Sequence, residues 1–302
     1  GPFFLRHAVH NPAMTSLLTL RHGDLRCDIQ PEQGGSLAGL WLGADAVLCA
    51  SASTPAPMPA RLSASYPLVP FSNRIGQAAL QWQGTGHPLI KNNEPEPHAI
   101  HGVGWERPWR VLESSDTFAL LSFEHRADAS WPFDFDASQA FKLESDALEM
   151  SLSITNQSLV AAPVGLGWHP YFTKRPDTRV QFRTQGRWEM GSDKLPTHRA
   201  AHSGLDQATA ELAVDHCFDG WDGLLTLQDR VLTVRVRSAL SRVVVFTTPQ
   251  RPNIAVEPVS HVNNALNLMA QTNARAEDLG VVILQPGQSY SCEMRIEAER
   301  AA

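Results

Sequence analysis

The sequence has no long apolar run. None of its hydrophobic stretches approaches the ~20 residues that a helix needs to cross a bilayer, although hydrophobic residues make up 43% of its 302 positions. Cysteine is scarce. Cys27, Cys49, Cys217 and Cys292 lie far apart and form no CxxC pair. That spacing excludes a zinc ribbon and a dense disulfide framework. It leads us to expect buried free thiols in a cytoplasmic protein. No block of Lys or Arg stands out, and the formal net charge is -6. Nucleic acid and anionic membrane surfaces are therefore not expected as partners. Helical periodicity is confined to short pieces near 262–270 and 275–279. There is no internal repeat, low-complexity tract or obvious linker.

What the chain does have is enough apolar material for a large packed core, which excludes disorder, and many strand-like runs. Residues 138–158 alternate well: Leu148, Met150, Leu152 and Ile154 fall on one face, Glu149, Ser151, Ser153 and Thr155 on the other. Ser145-Asp146 marks a turn before them. Gly23-Asp24 splits two earlier runs as a hairpin would. Further runs follow at 118–126, 224–238, 242–249, 253–260, 280–287 and 289–299. Most of the 21 prolines and 20 glycines fall between runs, where turns are needed. A single large antiparallel all-β domain over 14–302 is the expectation. The opening Gly-Pro, with Met14 as a natural start, marks 1–13 as a tag or other non-native leader.

Five stretches are unusual in composition. In YPLVPFSNRIG (66–76), two prolines and Ser72-Asn73 put Arg74 in a loop-like place. It serves there as a hydrogen-bond fork for ligand oxygens or as a surface ion pair. In PHAIHGVGWERPW (97–109), His98 and His101 share a short spacing. This fits either a metal site, for which a third ligand is missing, or a glycine-turn histidine donating to a ligand. GLGWHPYF (165–172) surrounds His169 with Trp168, Tyr171 and Phe172. Flat rings with polar edges suit a sugar, and Gly165 and Gly167 permit close approach; a core histidine among aromatics is the alternative. VDHCFDGWDG (214–223) carries Asp215, Asp219 and Asp222 without the spacing of a calcium loop. One aspartate for sugar hydroxyls and two turn residues is the other reading. In IAVEPVSHVNNALN (254–267), Glu257 sits among Ile254, Val256 and Val259. A carboxylate there needs partners, either as a general base or in a salt bridge.

Taken in order, PFSNRIG, HAIHG followed by Trp105, GLGWHPYF, VDHCF and VEPVSHVNNALN resemble the aldose 1-epimerase (galactose mutarotase-like) family, from about residue 16 to 297. The resemblance implies a β-supersandwich with an open cleft. It implies interconversion of the α and β anomers of a free aldose, without metal or organic cofactor. Glu257 matches the family's general base and His169 its general acid. Arg74 and His101 match sugar-binding residues near the ring oxygen and anomeric centre, and Asp215 the aspartate for remote hydroxyls. We add Trp168 as a substrate-binding ring. Asp219 and Asp222 have no counterpart. The chain departs from the best-known members in GLGW before the histidine and in GQAAL after NRI. The first bears on sugar preference, the second on the local turn.

Ring opening needs a base at the anomeric hydroxyl and an acid at the ring oxygen. Nearby carboxylates, Glu257 and Asp215, are expected to favour protonated His169 if they converge. The partners expected are a monosaccharide and, at most, a second copy of the chain, as a monomer or homodimer. Three other readings remain. A hexose-6-phosphate mutarotase would need an Arg cluster, for which Arg61, Arg74, Arg107 and Arg110 are available. A non-catalytic sugar-binding module could keep the cleft alone. A zinc hydrolase rests only on His98 and His101.

Overall fold

The computed structural model describes residues 17–50 and 55–301. The expected leader, 1–13, lies outside them. Two large antiparallel sheets face one another. The first has 12 strands, and its main path runs Leu18–His22, Leu25–Gln30, Ser36–Leu42, Asp45–Leu48, Tyr171–Thr173, Asn253–Val259, Arg242–Thr247, Val214–Asp219, Gly186–Met190 and Pro196–Ala201. The second has nine: Arg110–Ser114, Phe118–His125, Phe135–Leu143, Ala147–Asn156, Ser289–Arg300, Leu232–Ser238, Leu224–Gln228, Arg179–Arg183 and Gly204–Ala208. This is the expected β-supersandwich.

The alternation read from the sequence explains the second sheet. Leu148, Met150, Leu152 and Ile154 are buried in the core between the sheets, while their neighbours point outward. Burying each such side chain contributes ~1.5–3 kcal/mol. The hairpin at Gly23-Asp24 forms, with Gly23 at φ 56°. Helix is limited to Ala265–Thr272 and Ala276–Leu279 among the described residues, with 3-10 turns elsewhere. The first begins later than its periodicity suggests. Asn264 is left-handed (φ 56°), and its Oδ1 accepts from the Gly76 backbone N–H (2.9 Å). The asparagine is thus spent on a distant loop, and the helix starts after it. No helix among the described residues is long and apolar enough to cross a membrane. All four cysteines are free, three of them buried.

The first sheet is covered on both faces. Strand Asn253–Val259 is buried along its whole length. Ile254 and Val256 enter the inter-sheet core. Ala255 and Val259 join a separate apolar cluster with Tyr66, Leu68, Ile100, Trp105, Tyr171, Cys217 and Val244. Side chains alternate across a strand, so Glu257 stands on the face of that second cluster. There the segment from Ala60 to Glu106 folds over the sheet, carrying three 3-10 turns and the short pair Arg74–Ile75 with Ala99–Ile100.

Candidate active site

Antiparallel register brings the functional side chains into rows. Tyr171 pairs Ala255, Ala255 pairs Phe246, and Phe246 pairs Asp215. One row along, Glu257 pairs Val244, which pairs Cys217. Glu257 and Asp215 therefore rise from one sheet face, two strands apart. His169 follows the short strand Gly167–Trp168, and its backbone N–H donates to Tyr66 O (3.0 Å). Its Nε2 lies 3.2 Å from Glu257 Oε1. Glu257 Oε2 and His169 Nδ1 are buried and have no hydrogen-bond partner.

The imidazole is framed by rings. Tyr66 and Tyr171 lie 4.8 and 4.6 Å from it between centroids, and His101 meets it edge-on at 5.2 Å. Trp105 stacks behind Tyr66 at 5.4 Å. The Asn73 backbone N–H donates to His101 Nδ1 (3.0 Å), which leaves the ring proton on Nε2. His101 holds a left-handed φ of 63°.

Arg74 is buried, and its fork is already engaged. Nε donates to Glu96 Oε2 (2.7 Å), Nη2 to Glu96 Oε1 (3.0 Å), and Nη1 to Asn73 Oδ1 (3.3 Å). Of the two roles weighed for this arginine, the structure shows the ion pair. The pair is buried, and the arginine's charge is felt at Glu257. Lys194 also donates to Glu96 (2.5 Å). These partners hold the Glu96 carboxyl down at about 2.

Burial dominates the electrostatics. It pushes Glu257 well above the usual carboxylate range; Asp215 adds to the rise, and Arg74 opposes it. It pushes His169 down to about 3, with Arg251 contributing. The expected rise from neighbouring carboxylates is thus outweighed by desolvation. A carboxyl resisting ionisation faces an imidazole resisting protonation, and the two hold one proton between them. Asp215 is also raised by burial and eased by Arg74. No protein group is hydrogen-bonded to its carboxylate among the described residues.

Other sequence candidates lie elsewhere. Trp168 is fully buried in the inter-sheet core, with Nε1 donating to Gln139 Oε1 (3.3 Å), and offers no face to a ligand. The framing aromatics are instead Tyr66, Trp105 and Tyr171. Nor do the glycines of GLGW open space for a ligand. A Cβ on Gly165 would lie 1.9 Å from the His261 ring, and one on Gly167 2.6 Å from Pro258 O. They admit protein, not sugar. His98 accepts from the Gln77 N–H (3.0 Å) through Nδ1 and faces Asp193 O (2.8 Å) through Nε2. Both nitrogens are occupied, so His98 is not free to share a metal with His101, and no cluster of metal-ligating side chains is present among the described residues. Asp219 is clasped by Arg199 and Trp188 Nε1, and Asp222 caps a turn at the Leu224 N–H. Arg107 pairs with Asp128. Sequence reading missed Glu96, Tyr66 and Arg251. Tyr66 opens the stretch that supplied Arg74, and Glu96 precedes His98 by two residues.

A cavity of about 620 Å³ lies on the outer face of the nine-stranded sheet, lined by Lys142, Glu149, Arg237 and Arg295. Its charges neutralise one another, as in Arg295–Glu149 at 2.6 Å. It holds no unpartnered buried group, unlike the site at Glu257.

The aldose 1-epimerase family profile matches residues 16–297. The Escherichia coli K12 protein YphB, itself uncharacterised, is 30% identical over 319 residues, covering 94% of this chain and 99% of that protein. The crystal structure of a candidate aldose 1-epimerase from Escherichia coli K12 superposes with a TM-score of 0.82 at 28% identity, over 95% of this chain and 99% of that one. A galactose mutarotase-like protein from Clostridium acetobutylicum shares the fold at a TM-score of 0.81 and 18% identity, over 94% and 95% of the two chains. With residues 16–297 spanned in this way, the chain belongs to the aldose 1-epimerase family.

Proposed function

We propose that the protein interconverts the α and β anomers of a free aldose, with Glu257 as general base and His169 as general acid. One observation carries the reading. Glu257 and His169 are in contact at 3.2 Å in a buried site, while Glu257 Oε2 has no partner. An unpartnered buried carboxyl oxygen is costly, and a sugar hydroxyl would satisfy it.

In this reading the shared proton stands on His169 once the sugar is bound, so that ionised Glu257 accepts the proton of the anomeric hydroxyl as His169 gives one to the ring oxygen. The C1–O5 bond breaks and an open aldehyde forms. Rotation about C1–C2 exposes the other carbonyl face. The C5 hydroxyl then attacks, returning its proton to His169 while Glu257 reprotonates the new anomeric oxygen. The pair ends with the same single proton it began with, so no cofactor is needed. His101 Nε2–H and Arg74 serve ring and anomeric oxygens, and the Asp215 carboxylate accepts from remote hydroxyls. Each positioned acid or base contributes ~10²–10⁴-fold.

The test is the approach to anomeric equilibrium of freshly dissolved α-D-glucose and α-D-galactose, followed by polarimetry or proton NMR. Acceleration by the wild type that is lost in Glu257→Gln supports the assignment. Acceleration that survives the substitution refutes Glu257 as base.

A further inference from the structure

The hairpin next to Asp215 reaches back to the covering segment. Strand Gly186–Met190 runs antiparallel to Val214–Asp219, with Gly186 opposite Asp219 and Arg187 opposite Phe218. Carried along the strands, that register brings Met190 level with Asp215, and the hairpin tip, residues 191–195, comes out at that end. The tip is closed by its own backbone. Gly191 N–H donates to Leu195 O (2.8 Å) and Lys194 N–H to Gly191 O (3.0 Å). It is also docked on the segment that covers the sheet. Asp193 O accepts from His98 Nε2 (2.8 Å), and a Cβ on Gly76 would lie 2.9 Å from Leu195 Cδ1. None of these contacts uses the Lys194 side chain. Lys194 itself holds a left-handed φ of 62°, where a glycine would sit at less cost.

That side chain makes one bond among the described residues. Its Nζ donates to Glu96 Oε1, the oxygen that also accepts from Arg74 Nη2. An ammonium carries three N–H donors, so two remain, and the side chain is 54% exposed. Asp215 is the complement, a half-buried carboxylate to which no protein group among the described residues donates. Burial disfavours its charge; Arg74, His216 and Lys194 favour it, and Glu96 opposes it. Two cations, Arg74 and Lys194, and two carboxylates, Glu96 and Asp215, thus lie within one another's fields. Hydrogen bonds join the first three and leave Asp215 out. A half-exposed ion pair contributes little to stability by itself, so Lys194–Glu96 alone is a poor return for a lysine in the left-handed region.

We propose that Lys194 determines sugar specificity: its spare N–H groups and the Asp215 carboxylate hold the same remote ring hydroxyl, on C4 or its neighbour C3. The inference rests on the anomerase reading, which puts C1 at Glu257. A pyranose carries C4 directly across the ring from C1, and Asp215 rises two strands across the sheet from Glu257. A hydroxyl both donates and accepts. Donating to Asp215 leaves its oxygen to accept from Lys194, and the two charged hydrogen bonds strengthen each other. A site built this way rejects a sugar that lacks the hydroxyl, because both charged groups then lose their partner.

The experiment compares kcat/KM for anomerisation of D-glucose, 3-deoxy-D-glucose and 4-deoxy-D-glucose, with wild type, Lys194→Met and Lys194→Gly. Wild type should prefer glucose over one of the deoxy sugars by roughly a hundredfold or more, and which one identifies the hydroxyl. Lys194→Met should cut that ratio about tenfold or more, as loss of a charged hydrogen bond does. The change should fall on KM rather than kcat, since the contact is remote from the reacting atoms. Any disturbance that reaches Arg74 through Glu96 acts on all three sugars and cancels in the ratio. Lys194→Gly suits the left-handed φ, so it should lose the ratio while keeping wild-type stability in urea, and it supplies the comparison should Lys194→Met fail to fold. A ratio unchanged in Lys194→Met would overturn the proposal and leave the anomerase reading standing, as would equal turnover of all three sugars by wild type. If no sugar is turned over, the anomerase reading falls, and calorimetric titration of the same proteins with the same sugars decides the subsite alone. Tighter binding of glucose than of a deoxy sugar, with the gap narrowed in Lys194→Met, upholds it; no gap, or no binding, refutes it.

Discussion

Glu257 Oε1, from strand Asn253–Val259, and His169 Nε2, from the connection after Gly167–Trp168, approach to 3.2 Å, with an unpartnered oxygen on one side and an unpartnered nitrogen on the other. Burial keeps Glu257 protonated and His169 neutral more strongly than either would be in water. A pair that shares one proton titrates in two macroscopic steps, and both steps are displaced outward.

Glu257→Gln should lower anomerisation by ~10²-fold or more, because the amide cannot accept the anomeric proton. It should not destabilise the fold. The buried carboxyl resists ionisation, and the amide has nearly its shape. Circular dichroism and a thermal melt beside the NMR rate check both parts.

The pH profile of kcat should be flat from roughly pH 5 to 8. Gaining a second proton is resisted down to the depressed range of His169, about 3. Losing the one proton is resisted up to the raised range of Glu257. An ordinary histidine acid would give a limb near ~6.5, with activity falling as pH rises through it. Rates at five pH values with constant ionic strength decide between these outcomes.

Glu96→Gln should raise KM several-fold with a smaller change in kcat. Glu96 touches no reacting atom in the proposed mechanism but fixes the Arg74 fork at 2.7 and 3.0 Å. It also ties in Lys194 across the cleft rim. Leaving a buried guanidinium half-partnered should lower stability by about 1–3 kcal/mol. Steady-state kinetics and urea unfolding report the two effects. A pure stability loss with unchanged KM would show that the ion pair serves folding alone.

Gly165→Ala should destabilise the protein by about 1–3 kcal/mol or more. The new methyl would overlap the His261 ring, which cannot retreat. That ring accepts from the Ser72 N–H (3.1 Å) and contacts Val262 O (2.7 Å). Urea denaturation of the variant gives the value.

Folding stability should fall on acidification below the unfolded histidine pKa of ~6.5. His101, His169 and His261 are buried with folded values lowered, the last to about 4. Below ~6.5 the unfolded chain binds protons that the native chain refuses, so stability drops as pH falls. Glu257 acts in the opposite sense. Its folded value is raised, so its contribution is full below its unfolded value and declines as pH rises. The three buried histidines outweigh Glu257 and the likewise raised Asp215 and leave a net loss, visible as a lower urea midpoint at pH 5 than at pH 7.5.

Much of the fold was legible because strand periodicity is written directly in residues such as Leu148, Met150, Leu152 and Ile154. The hairpin at Gly23 and both short helices were readable for the same local reason. Glu257, His169, Arg74, His101 and Asp215 came from family resemblance, since no local pattern relates residues that meet only across strands. Trp168 shows the limit. Alternation tells that Trp168 and His169 point apart but not which of two buried faces holds the site. Glu96 escaped because its meaning lies in Arg74, far along the chain. The glycines misled for a similar reason, as the group they accommodate is His261.

The rows of paired residues divide the labour within the molecule. Glu257 and Asp215 are placed by sheet register, whereas Tyr66, Arg74, His101 and Arg61 arrive on the segment that folds over it. One inserted residue in Asn253–Val259 would turn Glu257 into the inter-sheet core. The covering segment carries no such constraint on its loops. In the proposed mechanism the base is thereby locked to the scaffold, while several of the sugar contacts rest on a part that can be exchanged. Redesign of this protein for a new sugar should therefore begin in residues 57–106 and leave the strands alone.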